Sequence, residues 1–153
     1  MASPAAELHA TVATVTVLAV GPMLEDQIYL KNILASCDPA LSTDCNWRLK
    51  TSRTMKAAKQ QLRLGSIPIV LCENELRPDA WKEMLDHCAQ MPEAPLLIVT
   101  SRQADDRLWV EALNLGAYDV LAKPFDRREL VRTLGMAWQN WKSRRKPKAA
   151  AAA

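Results

Sequence analysis

Long apolar runs are missing from this sequence. The longest candidate, residues 12–20, carries Thr14 and Thr16 and stops at Gly21-Pro22. A membrane helix needs about 20 consecutive apolar residues, so no membrane contact is expected. The first nine residues contain Glu7 and neither Lys nor Arg. They therefore lack the basic region of a secretory signal, and a cytoplasmic protein is expected. Cysteine is sparse: Cys37, Cys45, Cys72 and Cys88 form no CxxC pair and share no metal-ligand spacing with the two histidines, His9 and His87. That excludes a disulfide-stapled or zinc-knit scaffold and leaves reduced thiols in an ordinary core.

What is present suits one soluble domain. The chain has 153 residues and 17.1 kDa, with 49% hydrophobic and 24% charged residues, enough to bury a core. The net charge of +3 is uneven. From Asp126 onward, Arg127, Arg128, Arg132, Lys142, Arg144, Arg145, Lys146 and Lys148 stand against Asp126 and Glu129, which leaves the rest of the chain acidic. Residues 1–12 read as a flexible leader, 13–142 as the domain, and 143–153 as a basic, alanine-rich tail with no structure-forming role.

Short apolar runs alternate with helical periods. Residues 13–20 are rich in β-branched side chains and end at Gly21-Pro22, as a buried strand would. Residues 24–36 place Leu24, Ile28, Ile33 and Leu34 near helical spacing. A weak second strand covers 46–50. A helix over 54–64 follows, with Met55, Ala58 and Leu62 on one face and Gly65 as its stop. Pro68 introduces a third strand over 69–72, and Asp79 caps a helix reaching Cys88. Pro95 introduces a fourth strand over 96–100, a helix over 105–115 stops at Gly116, and 118–122 form a fifth strand. Asp126 then caps a last helix with Leu130, Leu134, Trp138 and Trp141 along one stripe. Strand runs without polar alternation imply a sheet covered on both faces, and helical connections imply parallel strands with right-handed crossovers. Five such units predict an α/β, doubly wound, flavodoxin-like three-layer sandwich in the order 2-1-3-4-5.

Ligands of such sheets sit at the carboxyl ends of the strands, where this sequence places Gly21-Pro22, Glu73, Thr100-Ser101 and Lys123-Pro124-Phe125. The segment 116–125 (GAYDVLAKPF), with Thr100 ending the fourth strand and 69–76 as third strand and loop, resembles the receiver domains of response regulators. The resemblance spans roughly residues 13–142. It implies a CheY-like fold, a cis Lys123–Pro124 bond, and a two-component phosphorelay in which a histidine kinase phosphorylates an aspartate ending strand three. Magnesium, held by that aspartate and an acidic pair after strand one, supports the transfer through hard oxygen ligands.

The sequence departs from that pattern where the chemistry is done. Gly21 and Pro22 stand where the acidic pair belongs, and Glu73 stands at the phosphoacceptor position. Arg77 replaces the usual proline after Leu76, and Val120 stands where the family often has an aromatic, with Tyr118 two residues away on the same face. Glu25 and Asp26 lie about a turn into the first helix and read as a solvated face stabilised by the helix dipole. Lys123 has two readings, a partner for Glu73 or a relic of the Lys-Pro bend; Thr100 likewise is a switch hydroxyl or a strand end.

The expectation is thus a pseudo-receiver. It is not an enzyme, binds no cofactor (magnesium included), and signals through protein–protein contacts with a histidine kinase or a downstream regulator. The alternatives are a phosphoacceptor with a remodelled site at Glu73 and a nucleic-acid-associated regulator using the basic tail, for which no recognition helix appears. The expected interaction surface is the face of helix four, strand five and helix five, with Trp109, Arg107, Arg127, Arg128 and Arg132, possible as a homodimer contact. A part-exposed Trp141 beside Lys142, Arg144 and Arg145 completes it.

Overall fold

In the computed structural model the described residues are 13–35 and 45–152, with the side chains of Cys45 and of residues 145–152 outside the description. The expected leader over residues 1–12 and Cys37 also lie outside it. Strand β1 (Ala13–Val20) leads into helix α1 (Leu24–Ala35). Next come β2 (Cys45–Ser52), α2 (Met55–Leu64), β3 (Ile69–Glu73) and a 3-10 turn over Asn74–Leu76. The chain continues through α3 (Ala80–Ala89), β4 (Leu96–Ser101), α4 (Asp106–Leu115), β5 (Asp119–Ala122) and α5 (Arg127–Ala152). The five strands form one parallel sheet in the order β2-β1-β3-β4-β5, as the alternation of runs predicts.

The central strands are buried on both faces, all five residues of β3 and all six of β4 included. Their alternate side chains divide between two apolar layers. Val15, Val17, Ile69, Leu71, Leu96 and Ile98 pack with Leu30, Ile33 and Leu34 of α1 and Leu130, Leu134 and Trp141 of α5. Leu18, Val20, Val70, Cys72, Leu97 and Val99 pack with Met55, Ala58 and Leu62 of α2 and Trp81, Met84 and Cys88 of α3. Strands this apolar are stable only beneath helices on both sides.

The helix ends follow local chemistry, with two departures. Thr54, Asp105 and Asp126 accept backbone N–H bonds from Ala57, Leu108 and Glu129 at 3.1, 2.9 and 2.9 Å, which satisfies helix-start donors. Gly116 closes α4 at φ 110°, with its own N–H on the Leu113 carbonyl and the Ala117 N–H on that of Ala112; only a residue without Cβ takes that turn cheaply. Asp79, expected as a side-chain cap, instead sits at φ 60° without a cap bond, and its carboxylate lies 3.1 Å from Lys82 Nζ. Gly65 ends α2 in extended geometry rather than the left-handed turn.

Helix α1 turns differently from its expected face. Gln27, Leu30, Ile33 and Leu34 are buried, while Leu24 and Ile28 are half-exposed. Gln27 takes the inward position in their place because its amide donates to the Gly21 and Ser52 carbonyls at 3.0 and 3.2 Å, tying the start of the helix to the ends of β1 and β2. Helix α5 also runs on through the segment expected as a tail; alanine, the best helix former, makes up its last residues.

Candidate functional site

The register brings the predicted residues together. Glu73 pairs across the sheet with Thr100, and the Lys123 backbone N–H reaches the Ser101 carbonyl at 2.9 Å. The Lys123–Pro124 bond is cis, as the resemblance implies. Gly21, Glu73, Thr100 and Lys123 are all buried and line one cavity of about 30 Å³ with Leu30, Leu71 and Phe125. That is room for water rather than for a substrate. Pro22, half-buried beside it, contributes its carbonyl to Arg53 Nε at 3.3 Å.

At the centre is the Lys123 ammonium. It donates to Glu73 Oε1 and, at 2.9 Å, to Asp26 Oδ2. Of the two readings of Lys123, the one that pairs it with Glu73 matches this arrangement. Asp26 corrects the expectation of a solvated helix face: its second oxygen accepts from Arg102 Nη2 at 2.8 Å, and its side chain is only 21% exposed. The Gly21-Pro22 bend starts α1 directly after β1, so its first turn brings Asp26 to the carboxyl end of the sheet, beside Glu73 and Lys123. Sequence spacing alone treats such a residue as surface; its place one turn beyond a strand's carboxyl end is the signal that could have flagged it.

Glu75 was also missed. Its Oε1 accepts from the Ser101 hydroxyl at 2.8 Å and from the Arg102 backbone N–H at 2.7 Å, while Ser101 Oγ accepts from the Gln103 N–H at 3.0 Å. A connected network therefore runs from Glu73 through Lys123 and Asp26 to the Arg102 guanidinium, and the Arg102 backbone N–H carries it on to Glu75. It ties the loop after β4 to β3 and α1, and every cation in it already faces a carboxylate.

Gly21 has a steric role. A Cβ built there falls on Glu73 Oε2. The extra methylene of a glutamate, relative to aspartate, is accommodated by the missing side chain at 21. These two departures from the receiver pattern are one substitution in space.

The donor set does not fit magnesium. A hard cation takes several oxygen ligands, whereas positions 21 and 22 supply no carboxylate and Glu73 and Asp26 both grip Lys123. Among the described residues no three His, Cys, Asp or Glu side chains gather at one point.

The expected interaction surface is only partly assembled. Trp109 is 47% exposed on α4, and Arg127, Arg128 and Arg132 are exposed on α5. Arg107 instead lines a groove between α3 and α4 with Lys82, Val110 and Glu111, because two residues along a helix turn a side chain to the opposite flank. Trp141 corrects the expectation of a part-exposed contact. It is 3% exposed in the α1–α5 layer and stacks on Trp138 at 5.6 Å, while Lys142 covers the Trp138 ring. The half-buried Trp47 and Leu49 of β2 pack against that layer. Tyr118 does not share a face with Val120: it precedes β5, packs on the α1–α5 layer and accepts from Asn140 Nδ2 at 3.1 Å, whereas Val120 enters the other layer.

No protein-family model matches the sequence, and no curated protein matches it. Solved structures do. The signal receiver domain of an HD domain-containing protein from Pseudomonas fluorescens superposes with a TM-score of 0.71 at 22% identity, over 85% of this chain and 98% of that one. A response regulator from Thermotoga maritima gives 0.69 at 20%, over 81% and 97%. A CheY-like receiver domain protein from Methanospirillum hungatei gives 0.70 at 15%, over 86% and 99%. At such identities the likeness is one of fold: this chain has the receiver fold, complete from β1 to α5.

Proposed function

We propose that this chain is a cytoplasmic, non-enzymatic signalling module. It is a receiver fold whose carboxyl-end site is held by ion pairs instead of being switched by phosphorylation, and it communicates through protein contacts. The observation that carries this reading is the Lys123 ammonium lodged between Glu73 and Asp26. In a phosphoacceptor site that cation must be available to neutralise charge building on a transferred phosphoryl group. Here two carboxylates already neutralise it, and Arg102 is spent on Asp26. Among the described residues no cluster of His, Cys, Asp or Glu is placed to hold a cation that would supply the missing charge.

The electrostatics favour a fixed state. A buried carboxylate and ammonium are costly to desolvate singly and are retained only as a pair. Moving Lys123 toward a phosphoryl group would strand Glu73, which is 4% exposed. The loop after β4, tied through Arg102 and Glu75, is thereby held in one arrangement, and a partner reads a constant surface.

The test is incubation with acetyl phosphate and magnesium followed by intact-mass measurement at neutral pH. The expected result is no phosphoryl adduct. An adduct that forms in the wild type and disappears in Glu73→Ala would replace this reading with that of a remodelled phosphoacceptor.

A further inference from the structure

The residues from 45 to 72 contain Arg48, Lys50, Arg53, Lys56, Lys59 and Arg63 and no Asp or Glu. They build the β2 edge of the sheet and the helix beside it. Strand β2 pairs with β1 over all eight residues, and among the described residues it has no second neighbour. An edge strand paired on one side presents unpaired backbone N–H and C=O groups on the other, a template for an added strand.

The two faces of β2 differ in chemistry. Trp47 and Leu49 turn toward the α1–α5 layer and stay half-buried there. Arg48 and Lys50 lie in register with Thr16 and Leu18, and Leu18 belongs to the layer under α2 and α3, so the two basic residues share the α2 side. Lys56 and Arg63 are exposed on α2 two turns apart. Lys59 is taken up by Glu83 at 3.0 Å and Arg53 by the Pro22 carbonyl. Arg48, Lys50, Lys56 and Arg63 have no carboxylate partner among the described residues. The positive field registers on a neighbour: after burial, Lys59 and Arg63 are the groups that hold the His87 imidazole below its usual range.

We propose that the open edge of β2 docks an extended protein segment of alternating acidic and apolar residues, which adds a sixth strand to the sheet. Side chains directly opposite on paired strands stand about 5 Å apart. Apolar residues of the incoming strand would lie beside Trp47 and Leu49, and its carboxylates beside Arg48 and Lys50, within reach of Lys56 and Arg63. Lysine on an edge strand also discourages stray pairing, but that role leaves unexplained why the adjoining helix carries no acidic residue. A nucleic acid complements the charge and not the backbone row, and the only aromatic residue of β2, Trp47, lies on the opposite face, away from any stacking role.

The probe is a fluorescein-labelled alternating Glu–Val peptide of about ten residues, the length of a long strand, titrated against the full chain by anisotropy. Saturable binding is expected, weakened about tenfold or more in Arg48→Glu/Lys50→Glu and abolished when alternate peptide nitrogens are methylated. Circular dichroism checks the fold of the variant, and Arg48→Gln/Lys50→Gln serves in its place if charge reversal unfolds it. Absence of binding overturns the proposal. So does binding that survives N-methylation, which is charge attraction alone. Binding of a short DNA duplex at least as tightly, lost in the same variant, overturns it in favour of a nucleic acid.

Discussion

The carboxylate of Glu73 occupies the space that a side chain at Gly21 would need. Each residue makes the other possible: the longer acid requires an empty position opposite, and the empty position leaves nothing else to hold Lys123 from that side. The Gly21 backbone does not lie in the left-handed region, so Gly21→Ala tests the contact without a backbone penalty. We expect it to cost about 1–3 kcal/mol by urea denaturation, the range for overpacking a buried site. In a Glu73→Asp background the oxygen withdraws, and most of that cost should vanish. Equal costs in both backgrounds would mean that the two residues are not coupled.

Removing the cation alone should be far worse than removing the pair. Lys123→Met leaves Glu73 buried without its partner, and a loss of about 3–5 kcal/mol is expected. The double variant Glu73→Gln/Lys123→Met should recover much of it, since nothing buried then carries an unmatched charge. Thermal or urea unfolding of the single and double variants provides the check; a double variant as unstable as Lys123→Met would argue that packing, not charge, fixes the site.

The loop after β4 depends on Glu75. Ser101 is fully buried and donates its hydroxyl to Glu75 Oε1, so Glu75→Ala strands a buried donor at a cost of about 1–3 kcal/mol. The Arg102 amide loses its acceptor in the same variant. Its hydrogen exchange should accelerate while amides of β3 and β4 stay protected, a local opening rather than global unfolding.

The sequence reading succeeds where one-dimensional signals control the outcome. β-Branched and aliphatic runs bounded by Gly21-Pro22, Pro68 and Pro95 define the strands, and their alternation with helices leaves few topologies. The positions of Glu73, Thr100 and Lys123 follow from that topology, because strand ends in a parallel sheet meet on one side. Asp26, Glu75 and Gln27 were not legible: each is a polar residue in a helix or turn whose burial depends on how that element rolls against the sheet. Trp141 illustrates the same limit in reverse. Its place late in a long helix reads as exposed, but it belongs to an apolar layer against which Trp47 and Leu49 also pack, on a strand longer than its composition suggests. The basic run of 45–72 was in plain view, and became meaningful only when β2 proved to be an edge.

Ser52 offers a stabilising change. Its side chain is 4% exposed and its hydroxyl is buried without a partner, while its backbone carbonyl accepts from the Gly21 N–H and the Gln27 amide. Ser52→Ala keeps both carbonyl bonds and deletes the unsatisfied group. A gain of about 1 kcal/mol is expected in the urea midpoint; a loss of that size would show that the hydroxyl is satisfied in solution.

The thiols should make the fold sensitive to alkali. Burial, then the proximity of Cys88 and of Glu73, pushes the Cys72 thiol up to about 12, and burial does the same to Cys88. In the unfolded chain both ionise near 9.0. Between those values the native state keeps protons that the unfolded state releases, so stability falls as pH rises. The contribution is fully present below pH 9.0 and is lost as pH climbs toward about 12. Alkali acts on more than the thiols, so the informative quantity is the difference between the wild type and Cys72→Ala/Cys88→Ala. The variant should start less stable at neutral pH, because it loses buried sulfur, and should lose less on going to alkali. The same burial should keep both thiols unreactive toward a disulfide reagent at mildly alkaline pH until urea unfolds the chain. If Cys72 or Cys88 is labelled rapidly in the native protein, the layer under α2 and α3 opens far more readily than its packing implies.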